Sequence, residues 1–192
     1  EILSGLVGSE MCIRDSETSS NAKLRQIVAM LLLTGARKRE VLHARWTDID
    51  LPRRSWRIPL SKSGKSRYVP LSRAAIDLLQ QLPRHGACPW VFANPETLKP
   101  FADIYFPWNK ARKAAGLPDL RIHDLRHSFA SFLVNAGRSL YEVQKLLGHS
   151  QISVTQRYSH LAPATLLEAA DCASAAMQLG LAQSGETLTA AE

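Results

Sequence analysis

Ser55-Trp56-Arg57-Ile58-Pro59-Leu60 and Ser66-Arg67-Tyr68-Val69-Pro70-Leu71 are the two stretches on which the fold turns. Both are short and apolar enough for strands. The polar link between them, Ser61-Lys62-Ser63-Gly64-Lys65, holds a glycine that can supply turn geometry. The natural reading is an antiparallel β-hairpin.

Outside the hairpin the periodicity is helical. Upstream, Leu24, Ile27, Val28, Leu31 and Leu32 recur at three-and-four spacing and predict a helix from Asn21 with one buried stripe, ended by Thr34-Gly35. Lys38–Ala44 predicts a short second helix, followed by Trp46-Thr47-Asp48-Ile49-Asp50-Leu51 and a break at Pro52. Downstream, Ser72–Leu82 is amphipathic and opens on a serine cap. A turn-rich loop runs from Pro83 to Pro100, and a further helical stretch ends near Gly116. Asp124–Ala136, Leu140–Leu147 and Val154–Tyr158 follow as helices separated by Gly137 and Gly148, and Ala164–Leu179 carries a last apolar helical repeat. The fold expected is mainly α with a small antiparallel sheet in its N-terminal third, an α+β domain.

A chain of 192 residues suits one main core. Residues 1–16 show no sustained period and no basic region ahead of their apolar run, so they are expected to be a non-native or disordered leader rather than a signal peptide. The domain proper is expected over 17–182, with a flexible tail over 183–192.

With 45% apolar and 21% charged residues the composition is that of a soluble globular protein. No stretch approaches the roughly 18–20 uninterrupted apolar residues of a membrane span. The formal charge is +7, and residues 161–192 hold four acids and no Lys or Arg, which leaves +11 on residues 1–160. A body so basic suits a polyanionic partner, nucleic acid foremost. Cys12, Cys88 and Cys172 are odd in number, far apart and without C-x-x-C spacing, so neither a disulfide frame nor a zinc site is expected, which fits a reducing compartment. His123 and His127 share a helical face but lack a third ligand, and no metal is expected there.

Breaking a DNA strand without a metal requires cationic donors for the non-bridging phosphate oxygens, an acid for the leaving sugar oxygen, and a nucleophile. Three separated segments hold such groups. Arg37 follows the Thr34-Gly35 break, Arg126 lies within His123-Asp124-Leu125-Arg126-His127, and His149 and Tyr158 stand nine residues apart. Taken singly, each has a plain structural reading: a surface arginine after a turn, a helical histidine pair, a half-buried tyrosine.

Taken together, they resemble the tyrosine recombinases, which include phage integrases and Xer-type enzymes. The resemblance spans roughly Leu24 to Leu161. It rests on T-G-x-R-x-x-E at Thr34, Gly35, Arg37 and Glu40, and on the hairpin residues Lys62, Gly64, Lys65, Arg67, Val69, Pro70 and Leu71. It continues with H-x-L-R-H at His123–His127, then Leu147-Gly148-His149 with Tyr158 nine residues on. Arg39 stands where many relatives have Gly or Ser.

The resemblance implies a site-specific recombinase fold and activity. Tyr158 would attack the scissile phosphate to give a 3′-phosphotyrosyl link and a free 5′-hydroxyl, without metal, ATP or other cofactor. Arg37 and Arg126 would hold the non-bridging oxygens, with His149 a further donor. His123 is the candidate base for the phenol, Lys62 the acid for the leaving oxygen, and Glu40 the orienting carboxylate. Lys65 and Arg67 are expected on backbone phosphates of double-stranded DNA. His127 is expected to pack against the helix that bears Arg126, and His43, His85 and His160 are given no role. The resemblance further implies a homotetramer on DNA joined through Ala164–Leu179, accessory DNA-bending proteins, a cytoplasmic, nucleoid-associated location, and a separate N-terminal DNA-clamping domain not found in this sequence. A type IB topoisomerase-like enzyme and an inactive DNA-binding remnant are the alternatives.

Overall fold

The structure, a computed structural model, describes residues 21–59, 66–149, 151 and 153–159. The expectations for 1–16, for the hairpin arm with Lys62 and Lys65, for Ala164–Leu179 and for the tail lie outside these residues. In chain order the described elements are helix α1 (Asn21–Thr34), α2 (Lys38–Leu42), a 3-10 turn (Trp46–Asp48), strands β1 (Ile49–Asp50), β2 (Ser55–Ile58) and β3 (Arg67–Pro70), then α3 (Arg73–Gln80), α4 (Tyr105–Ala114), α5 (Asp124–Asn135), α6 (Leu140–Leu147) and α7 (Ser153–Gln156). The expected mainly helical fold with a small antiparallel sheet is the fold observed.

α1 forms because its three-and-four stripe has a core to enter: Leu24, Ile27, Met30 and Leu31 are buried. Thr34 closes the helix by donating its hydroxyl to the Met30 carbonyl at 2.6 Å and accepting from the Ala36 amide at 3.3 Å. β2 and β3 pair antiparallel with Trp56 opposite Val69 and Ile58 opposite Arg67. Their alternation turns Trp56, Ile58 and Val69 onto the core and leaves Arg57 and Tyr68 outside. The third strand, β1, was not expected. It pairs Ile49 with Trp56 and Asp50 with Ser55, and two residues are too few to show any period of their own.

α2 stops at Leu42, short of the expected Ala44. The Ala44 carbonyl accepts instead from the Val91 amide at 2.9 Å, and the Trp46 amide donates to Pro89 at 2.9 Å, so the 83–100 loop draws the chain out of the helix. Serine caps start α3 and α6: Ser72 accepts from the Ala75 amide, and Ser139 with Glu142 forms a capping box. α6 ends on Gly148 in the left-handed region.

The core is in two parts. The larger packs α1, α2, the sheet, α3 and α4 around Ile27, Trp56, Phe92 and Trp108, and reaches Leu125 at the start of α5. The smaller holds Ala130, Val134, Val143, Leu147 and Tyr158. α5 contributes to both, and the segments that carry the candidate chemistry meet along it.

Candidate active site

Arg37 precedes α2 in an extended conformation. Glu40, one turn on, accepts from the Arg37 amide and from Arg37 Nη1, each at 2.8 Å, so the carboxylate satisfies an orphan donor of the helix start and aims the arginine at once. A third bond comes from Arg67 Nη2, also at 2.8 Å. Burial pushes the Glu40 carboxyl up, but the charge of Arg67 and the bonds from Arg37 outweigh it and hold it below the usual range.

Arg126 is the junction. It is 4% exposed, and its guanidinium donates to the Gly35 carbonyl through Nη1 and to the Leu147 carbonyl through Nη2, both at 2.6 Å. One side chain thereby ties the turn before Arg37 to the turn before His149. Its pKa is lowered to about 10, by burial first and then by Arg37 and Arg67. The close approach depends on two glycines with positive φ. A Cβ on Gly35 (φ +60°) would stand 2.4 Å from Phe129 Cδ1, and one on Gly148 (φ +66°) would stand 2.5 Å from Arg67 Cδ.

His149 follows directly on Gly148. Its Nδ1 lies 2.9 Å from the Thr155 hydroxyl, and its carbonyl accepts from Gln144 Nε2 at 3.2 Å. Burial, then Arg126 and Arg37, lower its pKa to about 4, so the ring is neutral near pH 7. Tyr158 sits on the turn after α7 and is buried in the smaller core. Its hydroxyl and His127 Nδ1 are hydrogen-bonded at 2.5 Å. Burial pushes the phenol pKa up against the downward pull of Arg157 and Arg126.

The structure therefore brings Arg37, Glu40, Arg126, His149 and Tyr158 into one neighbourhood. His123 stands at the start of α5, open to solvent on one side, its ring 4.9 Å from that of His127 in an edge contact, and partial burial followed by charged neighbours lowers the pKa of both rings. The histidine that touches the phenol is His127, which the sequence reading had left to packing. Arg67 is likewise turned inward, onto Glu40 and the Leu146 carbonyl, where a phosphate contact was expected. Thr155, fully buried against His149, was also missed. The i, i+4 spacing of His123 and His127 was visible, but which of them faces Tyr158 is set by how α7 packs. Among the described residues no group of three His, Cys, Asp or Glu could hold a metal, and no helix is long and apolar enough to cross a membrane.

The phage integrase family matches residues 10–165. The integrase of Salmonella phage P22 is 35% identical over 160 residues, which cover 76% of this chain and 41% of that protein. Tyrosine recombinase XerC of Pediococcus pentosaceus is 36% identical over 160 residues, covering 76% of this chain and 53% of that protein. The chain thus spans about half the length, or less, of these relatives. Among solved structures, the catalytic domain of bacteriophage HP1 integrase matches with a TM-score of 0.63 at 30% identity, covering 83% of this chain and 88% of that one. The XerH site-specific recombinase bound to palindromic difH substrate, in a post-cleavage complex, matches with a TM-score of 0.65 at 26% identity, covering 86% of this chain and 50% of that one. The family match over residues 10–165 takes in the segments that meet at Arg126, and with the shared fold it places the protein: the chain belongs to the phage integrase family, the tyrosine recombinases.

Proposed function

We propose that this chain is the catalytic part of a site-specific DNA recombinase that cuts and rejoins strands through Tyr158. The observation that carries the reading is the convergence at Arg126. Arg37 and Arg126 lie close enough to His149 to lower its pKa, and Tyr158 lies close enough to Arg126 for each to shift the other. A cluster of several guanidiniums around one buried carboxylate, Glu40, is suited to an anion that carries its charge on exposed oxygens, and a phosphodiester fits.

The phenol oxygen attacks phosphorus, the bond from phosphorus to the 5′-oxygen breaks, and a 3′-phosphotyrosyl link forms. The phenol proton passes to a histidine, His123 or His127, and Lys62 on the hairpin arm protonates the leaving 5′-oxygen. No phosphoanhydride is consumed, because the phosphodiester is kept in the protein link and a 5′-hydroxyl from another strand reverses the step. Arg37 and Arg126 offset the charge that grows on the non-bridging oxygens, where loss of one donor lowers the rate roughly 10²-fold or more. A neutral His149 keeps one ring N–H, and in the tautomer with Nδ1 accepting from Thr155 that N–H is on Nε2, where it donates to the same oxygens. Since Tyr158 is 6% exposed and bonded to His127, the turn that bears it must shift before attack. Lys65 adds a backbone phosphate contact, Ala164–Leu179 joins protomers into a tetramer on two duplexes, and accessory proteins bend the DNA.

The test is a covalent adduct. A library of nicked duplexes with a randomised core is incubated with the chain, and complexes that survive detergent are recovered and sequenced. Wild type yields adducts on a recurrent sequence and Tyr158→Phe yields none. Adducts with relaxation of supercoils but no strand exchange point to a topoisomerase, and binding without any adduct overturns the reading.

A further inference from the structure

Arg67 enters the fold from the first residue of β3, just beyond the arm that carries Lys62. The exposed face of a hairpin is where a phosphate-binding arginine would point, yet this side chain is 12% exposed. Nη2 donates to Glu40 Oε2 at 2.8 Å, and Nη1 donates to the Leu146 carbonyl at 3.1 Å, 79 residues away in sequence. The stem passes so near Gly148 that a Cβ there would stand 2.5 Å from Cδ and 2.8 Å from Nε. Through Glu40 the contact reaches Arg37, which the same carboxylate holds by its amide and its guanidinium. Through Leu146 it reaches the end of α6, where the Gly148 and His149 amides bond back to Gln144.

We propose that Arg67 is a positioning residue for strand cleavage, locking β3 to Glu40 on one side and to the Leu146 carbonyl on the other, so that Arg37 and His149 are held in register with each other. The inference rests on the cleavage reading above. A planar fork is needed because two acceptors must be met in fixed directions at once. Arg126 joins two of the catalytic segments directly; Arg67 adds the third, the hairpin, which Arg126 does not reach.

The test uses the full 192-residue chain, the duplex recovered by adduct selection, and the variants Arg67→Lys, Arg67→Met, Glu40→Gln and the Glu40→Gln/Arg67→Met pair. Lysine keeps the charge but cannot meet both acceptors. The single-turnover cleavage rate of Arg67→Lys at saturating DNA is expected to fall between about 10- and 10²-fold, as for other small misplacements of catalytic groups. Its DNA affinity and salt dependence are expected to stay within about twofold of wild type. An unchanged rate with weaker binding and a salt slope smaller by about one would mark Arg67 as a phosphate contact and overturn the proposal. The double variant is expected to cleave no more slowly than the slower single; losses that multiply would show independent roles and also overturn it.

A second readout does not require cleavage. In Arg67→Lys the amides of Val41, Gly148 and His149 are expected to exchange with solvent faster, while those of Met30 and Leu31 in α1 stay protected. An unchanged exchange pattern sinks the proposal whether or not the wild type cleaves, and absence of wild-type adducts with the exchange effect intact sinks only the cleavage reading.

Discussion

Arg126 shows how much one side chain can be asked to do. Two of its five N–H donors pair with the carbonyls of Gly35 and Leu147, and the same guanidinium faces the charge of Arg37 and Arg67. Its structural and chemical roles are separable by substitution. In Arg126→Lys one ammonium can follow only one of the two carbonyls, so the other is left buried without a donor, a loss of about 1–3 kcal/mol. Thermal unfolding is expected to shift down accordingly, and single-turnover cleavage to fall roughly 10²-fold through the lost oxygen donor. If the variant melts like wild type, the bridge between the two turns is not holding them. His127 poses a related question for Tyr158: a 2.5 Å contact with His127 Nδ1 and a place in the smaller core leave the phenol buried, and burial favours its neutral form.

The elements were largely legible in the sequence because most of them are local solutions. The stripe of α1, the serine that opens α3 and the glycines that bound α6 are signals written within a few residues, and each element forms where its pattern lies. β1 was not legible, since Ile49 and Asp50 become strand only by pairing with Trp56 and Ser55. The site divides along the same line. Arg37, Arg126, His149 and Tyr158 stand in recognisable blocks, whereas the inward turn of Arg67 and the bond from Tyr158 to His127 join residues 79 and 31 positions apart along the chain. Contacts of that range depend on how elements pack, which periodicity does not encode. The turn between α1 and α2 illustrates the packing constraint. Gly35 has φ +60° and room for no Cβ against Phe129, so Gly35→Ala must adopt a left-handed conformation and displace an aromatic ring on α5. A loss of about 1–3 kcal/mol is expected from the backbone conformation and the clash together. It is measured as a lower urea midpoint at unchanged slope, and a midpoint equal to that of wild type would mean the turn can open without disturbing α5.

Over the whole molecule the dominant feature is charge that is unevenly placed: +7 in total, with +11 on residues 1–160. Part of that excess is concentrated where Arg37, Arg67 and Arg126 surround Glu40, and its repulsion adds to burial, the larger cause, in an arginine lowered to about 10 and a histidine lowered to about 4. A bound phosphate adds negative charge there and removes some of the repulsion, so the His149 pKa must rise on binding DNA. The sign of the linkage follows. Between the free value near 4 and the higher bound value the complex holds more protons than the free protein, so binding takes up protons and affinity increases as pH falls through that window. Calorimetric titration with the selected duplex in two buffers of different ionisation enthalpy reads the uptake directly. It is expected to be a fraction of a proton near pH 6, smaller at pH 8, and reduced in His149→Asn. His123 and His127 lie nearby and also have lowered pKa values, so the His149 variant is what assigns the proton. The overall affinity must also fall with salt, by a slope of about −0.9 for each phosphate neutralised, because the basic body displaces counterions wherever it meets the backbone. A complex that forms with the expected salt dependence but the same proton uptake in wild type and His149→Asn would mean that the bound phosphate lies away from His149, elsewhere on the basic surface rather than beside Arg37 and Arg126.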